Sequence, residues 1–336
     1  MNNQEDIITL DYGSGGKRTS TFIEEVVLPL LRNDALSEMG DGAILPGDEK
    51  LVFSTDSFVV SPYFFAGGDI GKLSVCGTVN DISVSGGEPK YLSLAVILEE
   101  GVPMSHVKRI VESIAATAKK AGVQIVTGDT KVVERGKGDG IYINTSGIGF
   151  LRHPGLSPKA IREGDIVLLS GTAGDHGAGI MLARNQNLLQ GEIPSDCAPL
   201  YELTKALHPL GENLRVMRDP TRGGVATTLN EFTEGSPYSI ELDEKAIPVN
   251  TKVKSASEIL GLDPLYLANE GKILAVVSPD QADRALTILR SLPEGKEAAA
   301  IGRVTTSHPG KVILKTPLGG TRILAKLAGD QLPRIC

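Results

Sequence analysis

The sequence predicts an α+β (mixed α/β) protein of two domains, and three observations carry that prediction. At 336 residues the chain is too long for one compact core and suits two domains of about 150 residues each. Apolar strand candidates and helices follow one another irregularly, so sheets covered by helices are expected rather than a regular βαβαβ winding. A turn-rich segment at 152–159 (RHPGLSPK) reads as a linker, and the pattern begins again after it. The expected units are therefore 1–151 and 152–330, with a tail at 331–336.

In the first half, strands are expected at 51–55, 91–98, 123–127 and 141–150. A helix is predicted over 104–121, where Val107, Ile110, Val111, Ile114 and Ala118 recur at helical spacing opposite Lys108, Arg109 and Glu112. Gly122 supplies its stop signal. In the second half, a strand at 165–170 precedes a glycine loop and a helix at 178–189, and a further helix spans 223–234. A strand at 272–277 leads to a helix at 279–292, with Ser278 as N-cap and Pro279 at the first helical position. Strands at 298–304, 311–315 and 321–325 close the half.

Composition narrows the function. Hydrophobic residues at 41% and charged residues at 22% are those of an ordinary globular protein. Apolar runs such as 91–98 are far short of the ~20 residues of a membrane span, and the first residues lack a basic-then-apolar signal peptide. Neither a membrane nor, at a net charge of −7, a nucleic-acid partner is expected. The three cysteines (Cys76, Cys197 and Cys336) are widely spaced, which points to a reducing cytoplasm rather than a disulfide framework. Without paired Cys or His motifs, zinc and iron–sulfur sites are not expected. Cys76 and Cys197 read as packing residues. Cys336 is the final residue, and it is not a prenylation signal, whose cysteine stands fourth from the end.

Four acids stand at loop positions directly after or beside apolar strands, among Gly, Thr, Ser and Asn: Asp41, Asp56, Asp81 and Asp129. Converging carboxylates of this kind suit Mg²⁺, with phosphate oxygens completing the shell; singly, each reads as a turn residue or cap. The loop at 13–17 (GSGGK), with Gly15, Gly16 and Lys17, could wrap phosphate but is not a Walker A loop, because Arg18 follows the lysine. GGDIGK at 67–72 fails the same test, and no Rossmann fingerprint occurs. RDPTRGG at 218–224 places Asp219, Arg222 and Gly223 at a helix start, which reads as an anion site or as a capped turn. In NEGK at 269–272, Glu270 reads as a general base or as a turn acid. His176, in GDHGAG at 174–179, reads as a structural or exposed loop histidine.

These motifs together carry a resemblance. GSGG at 13–16, FSTDS at 53–57, FFAGGDIGKLSVCGTVNDISVSGG at 64–87 and ILEEG at 97–101 run through the first half. VTGDTKVV at 126–133, SGTAGDHG at 170–177, RDPTRGG, LANEGK at 267–272 and the final PRIC at 333–336 complete the set. The chain resembles the HypE family of hydrogenase maturation factors, within the superfamily of aminoimidazole ribonucleotide synthetase and selenophosphate synthetase. Tyr12 stands where many relatives carry His.

The resemblance implies that 1–151 forms a homodimer and binds ATP with Mg²⁺, and that 152–330 closes over the site. It makes Asp41, Asp56, Asp81 and Asp129 metal and phosphate ligands. It assigns Gly15, Gly16, Lys17, Asn80, Thr130, Asp219, Arg222 and Gly223 to ATP. Cys336 becomes a carrier that the carbamoyltransferase HypF loads as a thiocarboxamide. ATP-dependent dehydration then gives a thiocyanate, whose cyanide goes to iron on the HypC–HypD complex for a [NiFe]-hydrogenase. Glu270 and Lys131 are the implied proton-transfer groups, with His176 and Arg334 as further contacts, Arg334 steering the tail. From 331 to 336 an extended tail reaches ~20 Å at ~3.4 Å per residue, enough to swing between two sites. A relative acting on a free small molecule would not need the final thiol, and a passive scaffold would not need the acids.

Overall fold

The computed structural model describes residues 7–13, 17–37, 45–185, 191–327 and 335–336. Gly15, Gly16, Asp41 and Arg334 lie outside the described residues, as does the side chain of Lys17. Short α-helices α1 (Lys17–Phe22), α2 (Leu28–Leu31) and α3 (Asp34–Ser37), the first two joined by a π-helical turn at Ile23–Val27, precede β1 (Leu51–Phe58). A small hairpin of β2 (Phe64–Phe65) and β3 (Gly68–Asp69) leads into α4 (Ile70–Val84) and β4 (Gly87–Glu99). Then come α5 (Met104–Ala121), β5 (Gln124–Val133) and β6 (Ile141–Leu151).

The predicted helix at 104–121 is α5, ended by Gly122 in the left-handed region (φ +69°), whose N–H returns to the Ala118 and Lys119 carbonyls. α4 has no counterpart among the sequence expectations. Nearly every residue from Ile70 to Val84 is buried, so the segment lacks the one-sided apolar stripe by which a helix is recognised. The Asp69 carboxylate caps it, accepting from the Lys72 N–H at 3.0 Å.

The four strands form one sheet in the order β1-β6-β4-β5, antiparallel except for the β4–β5 pair, which α5 connects. α4 lies on one face, where Ile82 closes against Gly87, Gly147 and Gly149. The opposite face exposes Leu51, Phe53 and Ile97.

The second half contains β7 (Ile166–Leu169), α6 (Asp175–Arg184), α7 (Tyr201–Leu207), β8 (Leu214–Arg218), α8 (Gly224–Thr233) and β9 (Ser239–Asp243). α9 (Thr251–Leu260), β10 (Leu274–Val277), α10 (Ala282–Arg290), β11 (Ala299–Thr305), β12 (Val312–Lys315) and β13 (Thr321–Ile323) follow. The strands form a seven-stranded sheet, β13-β12-β9-β11-β7-β10-β8. Alternate residues feed two cores: Val167, Leu169, Val216 and Val276 pack on the α8 side, and Leu168, Met217 and Ala275 on the side of α7 and α10.

A third core joins the halves. Phe58, Ile70 and Val79 pack in it with Ile180, Leu182, Ile193 and Leu267, and Ile335 of the tail enters the same cluster. Among the described residues no helix is long and apolar enough to cross a membrane.

Candidate active site

The sequence reading placed Asp56, Asp81 and Asp129 in loops. Asp56 lies within β1, Asp81 within α4 and Asp129 within β5, because strand pairing and burial extend these elements past the apolar runs that mark them. Asp56 shares the helix-covered face of the sheet with Ser54, whose hydroxyl donates to Asp81 Oδ2 at 2.7 Å. Gly77 of α4 makes this approach possible. A Cβ there would sit 2.8 Å from the Phe58 ring and 3.2 Å from Asp56 Oδ2.

Asp219 and Glu270 reach the same place from the second half. Burial pushes the Asp219 carboxyl up to about 7, with Asp81 and Asp56 adding repulsion against Arg218. Burial also raises Asp56 to about 6, with Asp81 opposing ionisation and the Ser57 N–H and Arg222 favouring it. Asp81 shifts upward for the same first reason, burial. Glu270 is completely buried and held well above the usual carboxylate range by desolvation, then by Asp219, Asp196 and Asp56. Its Oε1 has no hydrogen-bond partner among the described residues. Four acids thus converge with few cations between them, and the whole group resists full ionisation.

Such a donor set fits a divalent cation carried by phosphates. Among the described residues no three acids, histidines or cysteines form a closed metal cage. Mg²⁺ does not require one, since it binds through one or two carboxylates plus substrate phosphates and waters.

The tail lies in this site. A main-chain carboxylate oxygen of Cys336 accepts from the Val59 N–H at 3.0 Å, and Arg222 Nη2 donates to Cys336 Sγ at 3.4 Å. Burial and Glu270 push the Cys336 thiol up to about 11, while Arg222 pulls it down. Gly223 and Gly224 turn the chain into α8 with φ of +79° and +59°. A Cβ on Gly224 would strike the Leu265 and Leu267 carbonyls at 2.6 and 2.5 Å, so this turn packs directly on the segment leading to Glu270.

Asn80 is a strap rather than an open ligand. Its Oδ1 accepts from the Leu200 N–H at 2.9 Å and its Nδ2 donates to the Ala198 and Glu270 carbonyls at 3.1 and 3.3 Å. Asp196, which stands in none of the motifs, fixes the Glu270 loop. It accepts from Asn269 Nδ2 at 2.8 Å and from the Glu270 N–H at 3.1 Å, and pairs with Lys272 at 3.5 Å. His176, expected in a loop, is the second residue of α6 and fully buried. Cys76 and Cys197 are buried, and the Cys76 contact and burial push the Cys197 thiol well up.

Asp129, Thr130 and Lys131 do not join this group within one chain. The register runs Asp56–Thr145, Thr145–Leu94 and Leu94–Gly128 across the sheet. Three strand spacings, about 14 Å, therefore separate the two sides. Asp129 and Lys131 form an exposed pair at 2.6 Å on the sheet face away from α4.

Residues 39–151 match the AIR synthase related protein N-terminal domain and residues 162–315 its C-terminal domain. Carbamoyl dehydratase HypE of Azotobacter vinelandii is 47% identical over 334 residues, 98% of this chain and 97% of that protein. The chain belongs to the HypE family. HypE of Escherichia coli strain K12 is 44% identical, with both chains covered completely. A crystal structure of the hydrogenase maturation protein HypE in complex with ATP superimposes with a TM-score of 0.93 at 46% identity, covering 97% of this chain and 99% of that one. A HypE–HypF complex matches with a TM-score of 0.79 at 49% identity over 91% and 99%. The HypE family fold extends to the thiamine monophosphate kinase of Aquifex aeolicus, with a TM-score of 0.61 at 20% identity over 81% of this chain and 91% of that one.

Proposed function

We propose that this chain is an ATP-dependent carbamoyl dehydratase of [NiFe]-hydrogenase maturation whose substrate is a thiocarboxamide on its own Cys336. The observation that carries this reading is the Cys336 thiol lying against Arg222 inside the ring of acids that contains Glu270. HypF is the proposed loading partner and the HypC–HypD complex the acceptor of the cyanide. All three cysteines are free thiols, in keeping with a cytoplasmic setting.

ATP with Mg²⁺, when bound, supplies the phosphoryl group that turns the amide oxygen into a leaving phosphate. Asp56, Asp81 and Asp219 would hold the cation, and Arg222, with the bare N–H groups at the start of α8, would hold phosphate oxygens. The bond changes are simple: S–C(=O)–NH₂ becomes S–C≡N, the oxygen leaves on phosphate, and two protons leave nitrogen. Glu270, with its unpartnered Oε1, accepts a proton once charge on its acidic neighbours is neutralised. Burial keeps water from the carbon, so dehydration is favoured over hydrolysis.

The proposal includes a homodimer. The uncovered sheet face that carries Leu51, Phe53 and Ile97 also carries Asp129 and Lys131, and its edge strand β1 holds Asp56. Pairing with a second copy through this face would bring Asp129 and Lys131 beside the partner's acids, where Lys131 would offset phosphoryl charge. The unit 1–151 would then be the nucleotide and dimer unit, 152–330 the closing unit and 331–336 the carrier tail.

Intact mass after incubation with HypF and its carbamoyl donor tests the reading. A thiocarboxamide should appear on Cys336 and lose the mass of one water only when ATP is added. ATP turnover in step with product by Cys336→Ala would sink it.

A further inference from the structure

Beside the Arg222 contact to the thiol, the described residues of the docked tail are held by three contacts that do not involve the sulfur. Ile335 is 3% exposed and belongs to the core that joins the two halves. Its carbonyl oxygen lies 2.6 Å from His176 Nε2. The main-chain carboxylate of Cys336 accepts from the Val59 N–H on the first half.

The protons on His176 follow from its partners. Ser195 Oγ accepts from the Cys197 N–H at 3.1 Å and lies 2.8 Å from His176 Nδ1. The hydroxyl proton is then directed at Nδ1, which leaves the imidazole neutral with its proton on Nε2, facing the Ile335 carbonyl. Complete burial disfavours the imidazolium and pushes the His176 pKa down. The Phe65 ring meets the imidazole edge-on at 5.6 Å between centroids and closes its other side.

We infer that His176 is a positioning residue for the carrier tail: its Nε2–H, set by Ser195, latches the Ile335 carbonyl while the Ile335 side chain fills an apolar socket. The slot therefore reads the residue before the cysteine, an apolar side chain with a free backbone carbonyl, and leaves the sulfur available for chemistry. The position of Cys336 is set from behind, through the backbone, so the latch on Ile335 is the same whatever the sulfur carries, and contacts made by the sulfur or its cargo add to it. The value of this latch for dehydration rests on the carrier reading of Cys336; the docking itself does not.

The test uses the full-length chain with neither ATP nor a carbamoyl donor. Alkylation of each cysteine by iodoacetamide at pH 8 is followed by peptide mass, with buried Cys76 and Cys197 as internal reporters of folding. Docked Cys336 should react slowly, and His176→Ala and Ile335→Ala should each accelerate it about fivefold to tenfold, the worth of one net hydrogen bond or more. His176→Gln, which keeps a donor near the Nε2 position, should return the rate toward wild type. In turnover, His176→Ala should lower kcat and leave the KM for ATP unchanged. Wild-type alkylation rates in both alanine variants, with Cys76 and Cys197 still protected, would overturn the inference. Exposure of Cys76 and Cys197 in His176→Ala would mean general loosening, and Ile335→Ala, which alters only the tail, then decides. Slow Cys336 alkylation without any ATP-dependent mass loss would defeat the functional proposal and leave the latch standing.

Discussion

Glu270 combines complete burial, repulsion from three acids and an oxygen without a partner among the described residues. A group in that state is a strong base once its neighbours are neutralised. Glu270→Gln is expected to accept the carbamoyl group on Cys336 normally and to lose ATP-dependent dehydration by about 10²-fold or more, measured by intact mass against time. Asp219 sets a stability signature. Its carboxyl is raised to about 7 in the folded chain against about 3.9 in a flexible one. The folded state therefore holds the proton more tightly than the unfolded chain, and stability is lost as pH rises from about 4 to about 7. Asp56, raised to about 6, acts in the same direction. Asp219→Asn should raise the ligand-free chain's stability at pH 8 by on the order of 2 kcal/mol and flatten its dependence between pH 4 and 7, read by denaturant melts.

At the scale of elements, the Glu270 loop is held by backbone closeness as much as by side chains. A Cβ on Gly271 would lie 1.8 Å from the Asp196 carbonyl oxygen. Gly271→Ala must therefore push the loop away from Asp196 and carry Glu270 with it. A loss of about 1–3 kcal/mol in denaturant unfolding is expected, together with slowed dehydration by intact mass. This arrangement also explains what could be read beforehand. α5 was legible because one face is buried and the other wet, whereas α4 is buried all round and has no stripe to find. Asp56, Asp81, Asp219, Arg222, Glu270 and Cys336 stood in recognisable motifs. Asp196, Ser195 and Val59 did not, because each acts through contacts between segments distant in sequence. The helix position of His176 was missed for the same reason: its partners come from the 195–197 loop and the tail.

For the whole molecule, the uncovered sheet face has the largest consequence. Phe53 is 67% exposed on that face, so a charge there costs the single chain little and a paired face much. Phe53→Glu should yield a monomer by sedimentation and lose dehydration while retaining its thermal melt. A dimer that survives this change would refute pairing through this face. The docked tail, finally, makes the chain a competitor of its own partners. A protein that must take hold of Cys336 can do so only while Ile335 is out of its socket. Its apparent affinity is therefore the intrinsic one diluted by the undocked fraction, so a tail docked about nine-tenths of the time weakens capture about tenfold. Whatever sits on the sulfur shifts that fraction: a group that fits among the acids prolongs residence inside, and one that does not hastens departure. Order along the maturation route can thus be kept by occupancy alone, with the cargo setting how long the door stays shut.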